Sequence, residues 1–219
     1  MKIENLSKSF GSLVLFKDFN LDIKEGEITC ILGKSGSGKT TLLNMIAGIE
    51  NYQGQIDKIK PSYVFQEPRL IPNLTVEGNL SMVCSDAKKI QDILQSAQIA
   101  DKQKNYPATL SGGQAQSVSL CRAFLYDGDV LLMDEPFSSL DLKLKITLMQ
   151  TFAKMWRESK RTTIFVTHDV EEALCLAHRI LILSDGKITS DFRLEGDVMR
   201  EYGSPTPDRT KILSAILCD

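Results

Sequence analysis

The chain has 219 residues, 42% of them hydrophobic and 25% charged, an ordinary balance for a globular protein with a sizeable core. Lys and Arg number 26 against 28 Asp and Glu, a formal charge of −2 that provides no basic field to attract nucleic acid. No apolar run is long enough to cross a membrane, and Met1-Lys2-Ile3-Glu4-Asn5 lacks the apolar stretch of a signal peptide, so a cytoplasmic chain is expected.

Residues 1–10 read as a first strand ending at Phe10. Phe19, Leu21 and Ile23 then alternate with Asn20, Asp22 and Lys24, the period-two pattern of a half-exposed strand in an antiparallel layer. Glu25-Gly26 turns the chain into Ile28-Thr29-Cys30-Ile31-Leu32, a buried strand. Leu42, Leu43, Ile46 and Ala47 follow at helical spacing, with a stop near Gly48. Between strand and helix stands Gly33-Lys34-Ser35-Gly36-Ser37-Gly38-Lys39-Thr40, which fits the phosphate-binding pattern G-x-x-x-x-G-K-[ST]. The flanking elements supply the context that separates a phosphate cradle from a chance Gly/Ser-rich turn. Glycines let backbone N–H groups curl round an anion, and the helix adds its positive N-terminal end. Lys39 would reach the β- and γ-phosphates, and the Thr40 hydroxyl would bind Mg²⁺. Next, Gln53–Ile56 is expected to form a hairpin. Tyr63-Val64-Phe65 is a short buried strand stopping at Gln66, and Pro68 breaks any continuation.

From about Glu67 to Tyr126 strand signals vanish. Ile90, Ile93, Leu94 and Ala97 keep i, i+3, i+4, i+7 spacing, with Ser85 as candidate N-cap. Residues 67–126 therefore read as a helical insertion between two halves, about 1–66 and 127–219, of a single α/β domain covering 1–219. Val130–Met133 is a buried strand running into Asp134-Glu135-Pro136, followed by an amphipathic helix from about Asp141 to Ser159. Thr163–Thr167 is another buried strand, ending at His168, and Glu171–Ala177 is a helix. Ile180–Leu183 and Lys187-Ile188 form a hairpin through Asp185-Gly186. Beyond Thr189 the pattern weakens: Pro205 and Pro207 mark a loop, and Lys211–Leu217 reads as a last short helix. The five cysteines, Cys30, Cys84, Cys121, Cys175 and Cys218, lack C-x-x-C spacing and read as small buried hydrophobes; two histidines, His168 and His178, are too few for a His-rich metal centre.

Chemistry gathers at strand ends: the P-loop, Gln66, Asp134-Glu135 and His168. That placement suits a sheet binding ligand at its C-terminal edge. Beside a P-loop, an apolar strand ending in Asp reads as a Walker B strand. Asp134 then holds Mg²⁺, and Glu135 polarises a water for attack on the γ-phosphate. Leu110-Ser111-Gly112-Gly113-Gln114 is a Ser-Gly-Gly turn feeding a helix, hence a second anion site built like the first. One nucleotide does not need two helix N-termini from distant parts of one chain, whereas two copies related by a two-fold supply one each.

These ordered motifs resemble the ATP-binding subunit of an ATP-binding cassette (ABC) transporter, from Phe10 to about Ile188. The resemblance implies a P-loop NTPase core with an antiparallel β subdomain and a helical insertion subdomain. It assigns Phe10 to stacking on adenine and Gly33, Lys34, Ser35, Gly36, Ser37, Gly38, Lys39, Thr40 and Thr41 to the Walker A loop. Gln66 senses Mg²⁺ and the attacking water. Ser111, Gly112, Gly113 and Gln114 are the signature that closes over the partner's ATP. Asp134 and Glu135 form the Walker B pair, Ser139-Leu140-Asp141 is the D-loop across the dimer interface, and His168 is the switch histidine at the γ-phosphate. Ala115 and Ser117 stand where Arg is common in the family, which bears on the strength of dimer closure. Phe10 stands where Tyr is frequent.

The implied activity is hydrolysis of ATP, with Mg²⁺, to ADP and phosphate, energising solute transport. The implied partners are a second copy in a head-to-tail ATP-sandwich dimer, integral membrane permease subunits and, for import, a solute-binding protein. The implied location is the inner face of the cell membrane. Phe65-Gln66-Glu67-Pro68-Arg69-Leu70 is similar to the loop in importers of nitrate, sulfonate, taurine and related small solutes. An ABC exporter, a lipid- or lipoprotein-release ATPase and a non-transport ABC protein are the other readings. One P-loop, no sustained heptads and no basic surplus count against the last.

Overall fold

The structure, a computed structural model, describes residues 1–138, 140–204 and 207–218. Two sheets carry it. Strands β1 (Lys2–Phe10), β2 (Leu13–Asp22) and β4 (Gln53–Ile56) form an antiparallel sheet in the order β2-β1-β4. The second sheet comprises β3 (Ile28–Leu32), β5 (Pro61–Val64), β6 (Val130–Asp134), β7 (Thr162–Thr167), β8 (Arg179–Ser184) and β9 (Lys187–Arg193), in the order β5-β6-β7-β3-β8-β9. All its pairings are parallel except β8 with β9.

The apolar central strands are buried on both faces, and their period-two alternation deals side chains to two cores. Ile28, Cys30, Leu32, Leu131, Met133, Phe165, Ile180 and Ile182 enter one core. It is shared with α2 (Val76–Ser81), α3 (Ala87–Ser96), α4 (Gly112–Leu125), α5 (Leu142–Ser159) and α6 (Val170–Leu176). Ile31, Val130, Leu132, Ile164, Val166, Leu181 and Leu183 enter the other. There they meet Leu42, Leu43, Met45 and Ile46 of α1 (Lys39–Ile46) and Ile3, Leu6, Phe16 and Phe19 of the antiparallel sheet. The final helix is α7 (Pro207–Cys218).

Several expectations are corrected. Gln53–Ile56 is no hairpin: as β4 it pairs with β1, through Ile3 opposite Ile56. Phe65 lies just beyond β5. The N-cap of α3 is Asp86, whose carboxylate accepts from the N–H groups of Lys88 and Lys89, rather than Ser85. In Ser85-Asp86 the sequence offers adjacent capping residues, and the carboxylate takes the position that also satisfies the helix dipole. β9 extends to Arg193, because its alternating half-buried side chains follow β8 past the point where apolar residues thin out. Pro207 opens α7 instead of lying in a loop, as a first helical position tolerates proline. Cys84 is half-buried and not a core residue, while Cys30, Cys121 and Cys175 are buried. Pro205 and Ser139 lie outside the described residues, as does the side chain of Cys218.

Between residues 67 and 126 every regular element is helical. Its cohesion with the sheet comes through α4, whose Val118, Leu120, Cys121 and Ala123 belong to the same core as β3 and β6. No described helix is long and apolar enough to cross a membrane.

Candidate functional site

The strand order places β5, β6, β7 and β3 side by side, so their C-terminal ends share one edge. The register aligns them: Val64 sits opposite Met133, Asp134 opposite Val166, and Leu32 opposite Thr167. The residues one or two steps further on are Gln66, Glu135, His168 and the P-loop. They converge on a cavity of about 670 Å³. Ser35, Gly36, Gly38, Lys39, Thr40, Thr41, Gln66, Glu135 and His168 line it, with Leu13 and Leu15 of β2 as its apolar wall.

The P-loop backbone is shaped by two close approaches. A Cβ on Gly33 would lie 2.4 Å from the Leu183 carbonyl oxygen. At Gly38 φ is +97°, and a Cβ would lie 3.0 Å from the Phe16 ring. Gly38 caps α1 without a side-chain hydrogen bond, so the first N–H groups of that helix keep their donors for a ligand. Lys34, Ser35 and Gly36 are exposed at the top of the loop. Ser37 Oγ is buried with no hydrogen-bond partner among the described residues.

Lys39 Nζ donates to the carbonyls of Gly33 (2.7 Å) and Lys34 (2.9 Å). Burial lowers its pKa, against the attraction of Glu135 and Asp134. Thr40 Oγ1 donates to Asp134 Oδ1 at 3.0 Å. Burial also raises the pKa of Asp134, opposed by that hydrogen bond and reinforced by the neighbouring Glu135 charge. Glu135 Oε2 lies 3.2 Å from His168 Nδ1. Gln66 Nε2 donates to Ser138 Oγ at 3.4 Å, and Ser138 Oγ donates to the Glu135 carbonyl at 3.0 Å. Among the described residues no cluster of three or more His, Cys, Asp or Glu is placed to hold a metal.

A strand–P-loop–helix unit with a carboxylate pair, a glutamine and a histidine on adjoining strands is the expected arrangement of an ATPase cassette, and residues 16–138 match the family described as ABC transporter. The chain belongs to the ABC transporter family. It is 41% identical over 199 residues to an aliphatic sulfonates import ATP-binding protein of Paracoccus denitrificans (strain Pd 1222), covering 88% of this chain and 82% of that protein. It is 40% identical over 211 residues to a sulfate/thiosulfate import ATP-binding protein of Halalkalibacterium halodurans, covering 85% of this chain and 59% of that protein. A dimeric ATP-binding cassette solved in a post-hydrolysis state bound to ADP and Pi is similar at 33% identity and a TM-score of 0.77, over 89% of this chain and 99% of that one. The fold is that of an ABC ATPase, and the family's activity is ATP binding and hydrolysis coupled to transport.

Not every expected site residue of this ABC subunit reaches the cavity. Phe10 ends β1 with its ring 48% exposed and Lys8 Nζ 4.6 Å from the ring centroid. It pairs with Leu13, which does line the cavity, so Phe10 stands at the rim. Ser111, Gly112, Gly113 and Gln114 are also outside the cavity lining. They form a capping box at the start of α4: Gln114 N–H donates to Ser111 Oγ (3.3 Å) and Ser111 N–H to Gln114 Oε1 (3.0 Å). Asp141 is the N-cap of α5, accepting from Leu144 N–H at 3.1 Å.

The sequence reading missed three supporting groups. Lys145 on α5 bridges Asp169 and the fully buried Glu172, both at 2.7 Å, and Thr167 Oγ1 donates to Glu172 Oε2 at 2.6 Å. This network brackets His168. Burial opposes the Lys145 charge, but its hydrogen bonds to the two carboxylates outweigh that and raise its pKa. Asn79, wholly buried, accepts from Ile71 N–H and donates to the carbonyls of Ile71, Leu74 and Thr75, fixing the loop that follows Gln66. Gln116, 3% exposed, donates to the carbonyls of Phe65 and Pro136. Lys145 and Asn79 are polar residues within helices and carry no local sign of burial. Gln116 lies beside the Ser-Gly-Gly turn, and that proximity was the only available hint.

Proposed function

We propose that the cavity binds Mg²⁺ and ATP and that hydrolysis there energises import through a separate membrane permease, the chain lying on the cytoplasmic face of the membrane. The convergence of the P-loop, Gln66, Glu135 and His168 on one cavity carries this reading. The buried, unpartnered Ser37 hydroxyl and the uncapped start of α1 fit a phosphate group. Lys39 Nζ is placed to exchange the Gly33 and Lys34 carbonyls for phosphate oxygens. Thr40 and Asp134 offer adjoining hard oxygen donors, and Mg²⁺ bound there would neutralise phosphate charge. Glu135 accepts the proton of the attacking water, His168 holds the Glu135 carboxylate and faces the γ-phosphate, and Gln66 orients the water. Phe10, at the rim, offers adenine a ring face.

The signature Ser111–Gln114 and the Asp141 cap lie away from their own cavity, which supports a head-to-tail dimer in which each copy closes the other's nucleotide. Named relatives are import proteins for sulfonates and for sulfate or thiosulfate, and they support import of a small sulfur oxyanion. Such an importer would work with a solute-binding protein. The permease-facing surface is the loop after Gln66. Leu70 packs half-buried against the helical core, whereas Ile71 is 37% exposed on a loop held by Asn79. In the assembled transporter, Ile71→Glu is expected to keep ATP hydrolysis near wild type and lose most solute uptake. Uptake at the full rate by that variant would place the coupling contact elsewhere.

A further inference from the structure

Gln116 lies one turn into α4, between the signature cap and the sheet. Its carboxamide nitrogen donates to the Phe65 carbonyl at 3.2 Å and to the Pro136 carbonyl at 3.1 Å. Phe65 immediately precedes Gln66, and Pro136 immediately follows Glu135. The last backbone pair between β5 and β6 is Val64 with Met133. Beyond it the two segments meet through the long Gln66–Ser138 hydrogen bond at 3.4 Å and through Gln116, which also carries the link on to α4. An amide NH₂ has two protons, and both are used here. The other half of the group is idle: Gln116 Oε1 is buried and has no hydrogen-bond partner among the described residues. An unpaired buried acceptor is costly, so the site tolerates the oxygen for the sake of the donors.

We propose that Gln116 is a positioning residue for ATP hydrolysis, acting through its donors alone to hold the Gln66 and Glu135 segments in register with the signature helix. The proposal rests on the reading that Gln66 and Glu135 act at the nucleotide. The α4 end of the tie is stiff. Ser111 and Gln114 close the capping box, and Ser117 Oγ donates to the Gly113 carbonyl at 2.9 Å. A shift of the signature relative to the sheet is therefore delivered to both strand-end segments at once.

The idle oxygen makes the proposal sharp. A side chain with donors and no acceptor should serve, and one with no donor should fail. The test compares Gln116→Lys and Gln116→Met in the full chain, reading kcat and KM for ATP with Mg²⁺ alongside the thermal midpoint. Gln116→Met is expected to lower kcat by ~10–100-fold with KM within about twofold, as for misplacement of groups around a bound substrate. Gln116→Lys is expected to return kcat to within about threefold of wild type. Wild-type kcat in folded Gln116→Met would overturn the proposal, as would Gln116→Lys failing as badly as Gln116→Met. If the Gln116→Lys chain does not fold, kcat of the folded Gln116→Met chain decides. Glu135→Gln run in parallel separates the two readings. Retained turnover in Glu135→Gln overturns the site assignment itself, whereas lost turnover there with an unaffected Gln116→Met overturns only the role of Gln116.

Discussion

At Glu135 the backbone φ is +42°, in the left-handed region that residues with a Cβ avoid, and the side chain stands next to the Asp134 carboxylate. Both features oppose stability, and the side chain that bears them holds its Oε2 3.2 Å from His168 Nδ1 at the cavity. Glu135→Gly is therefore expected to raise stability by about 1 kcal/mol while abolishing turnover, read by denaturant unfolding of the purified chain. A stability loss in that variant would show that the turn is not strained. His178 has a different role from His168. Its Nδ1 accepts from Ile28 N–H at 3.1 Å, and its ring lies 5.0 Å from that of Trp156. Burial lowers its pKa below the ordinary value of 6.5, helped by Arg200 and Lys24 and opposed by Glu27 and Asp197. The unfolded chain thus binds this proton more readily, so the contribution is present above pH 6.5 and is lost as pH falls below it. The thermal midpoint should drop on acidification across that window, and His178→Asn, which keeps an acceptor and does not titrate, should flatten the drop. A wild-type profile unchanged by the substitution would remove His178 from the account.

Among the elements, α5 and α6 hold the β7 end in place through Lys145, Asp169 and Glu172. Removing the cation strands a carboxylate that is 1% exposed, and Lys145→Met is expected to destabilise the fold by about 3 kcal/mol. A loss under about 1 kcal/mol, measured by urea unfolding, would mean that Glu172 is neutral in the fold. The central strands were legible in the sequence because burial on both faces leaves uninterrupted apolar runs such as Val130–Met133. The P-loop, Gln66, Glu135 and His168 were legible as the polar residues at the ends of those runs. Gln53–Ile56 was misread because an edge strand of exposed, polar residues carries no periodic signal, and its partner β1 is distant in sequence. Gln116 and Lys145 escape notice for a related reason: each acts across the fold on a carbonyl or carboxylate whose proximity no local pattern encodes. Asn79 acts on its own loop, but nothing in its polar side chain marks it as buried there.

For the whole molecule, the decisive feature is a cavity assembled at one sheet edge and a Ser-Gly-Gly-Gln turn, Ser111–Gln114, that lies outside its lining. Gly112 is exposed, with nothing within 4 Å of the position a Cβ would take, so the turn is accessible to the second copy proposed above. In the presence of ATP and Mg²⁺ the Glu135→Gln chain should double its mass in light scattering, since it binds nucleotide without consuming it. A monomer under those conditions, with permease present, would remove the sandwich dimer from the account. The coupling to transport, and the use of Glu135→Gln to trap the dimer, both rest on the proposal that Glu135 activates water. The measurement that bears on it most directly is ATP turnover by Glu135→Gln, with nucleotide binding measured on the same sample. Near wild-type binding and turnover reduced by ~10²–10⁴-fold are expected. Near wild-type turnover with that binding would contradict it.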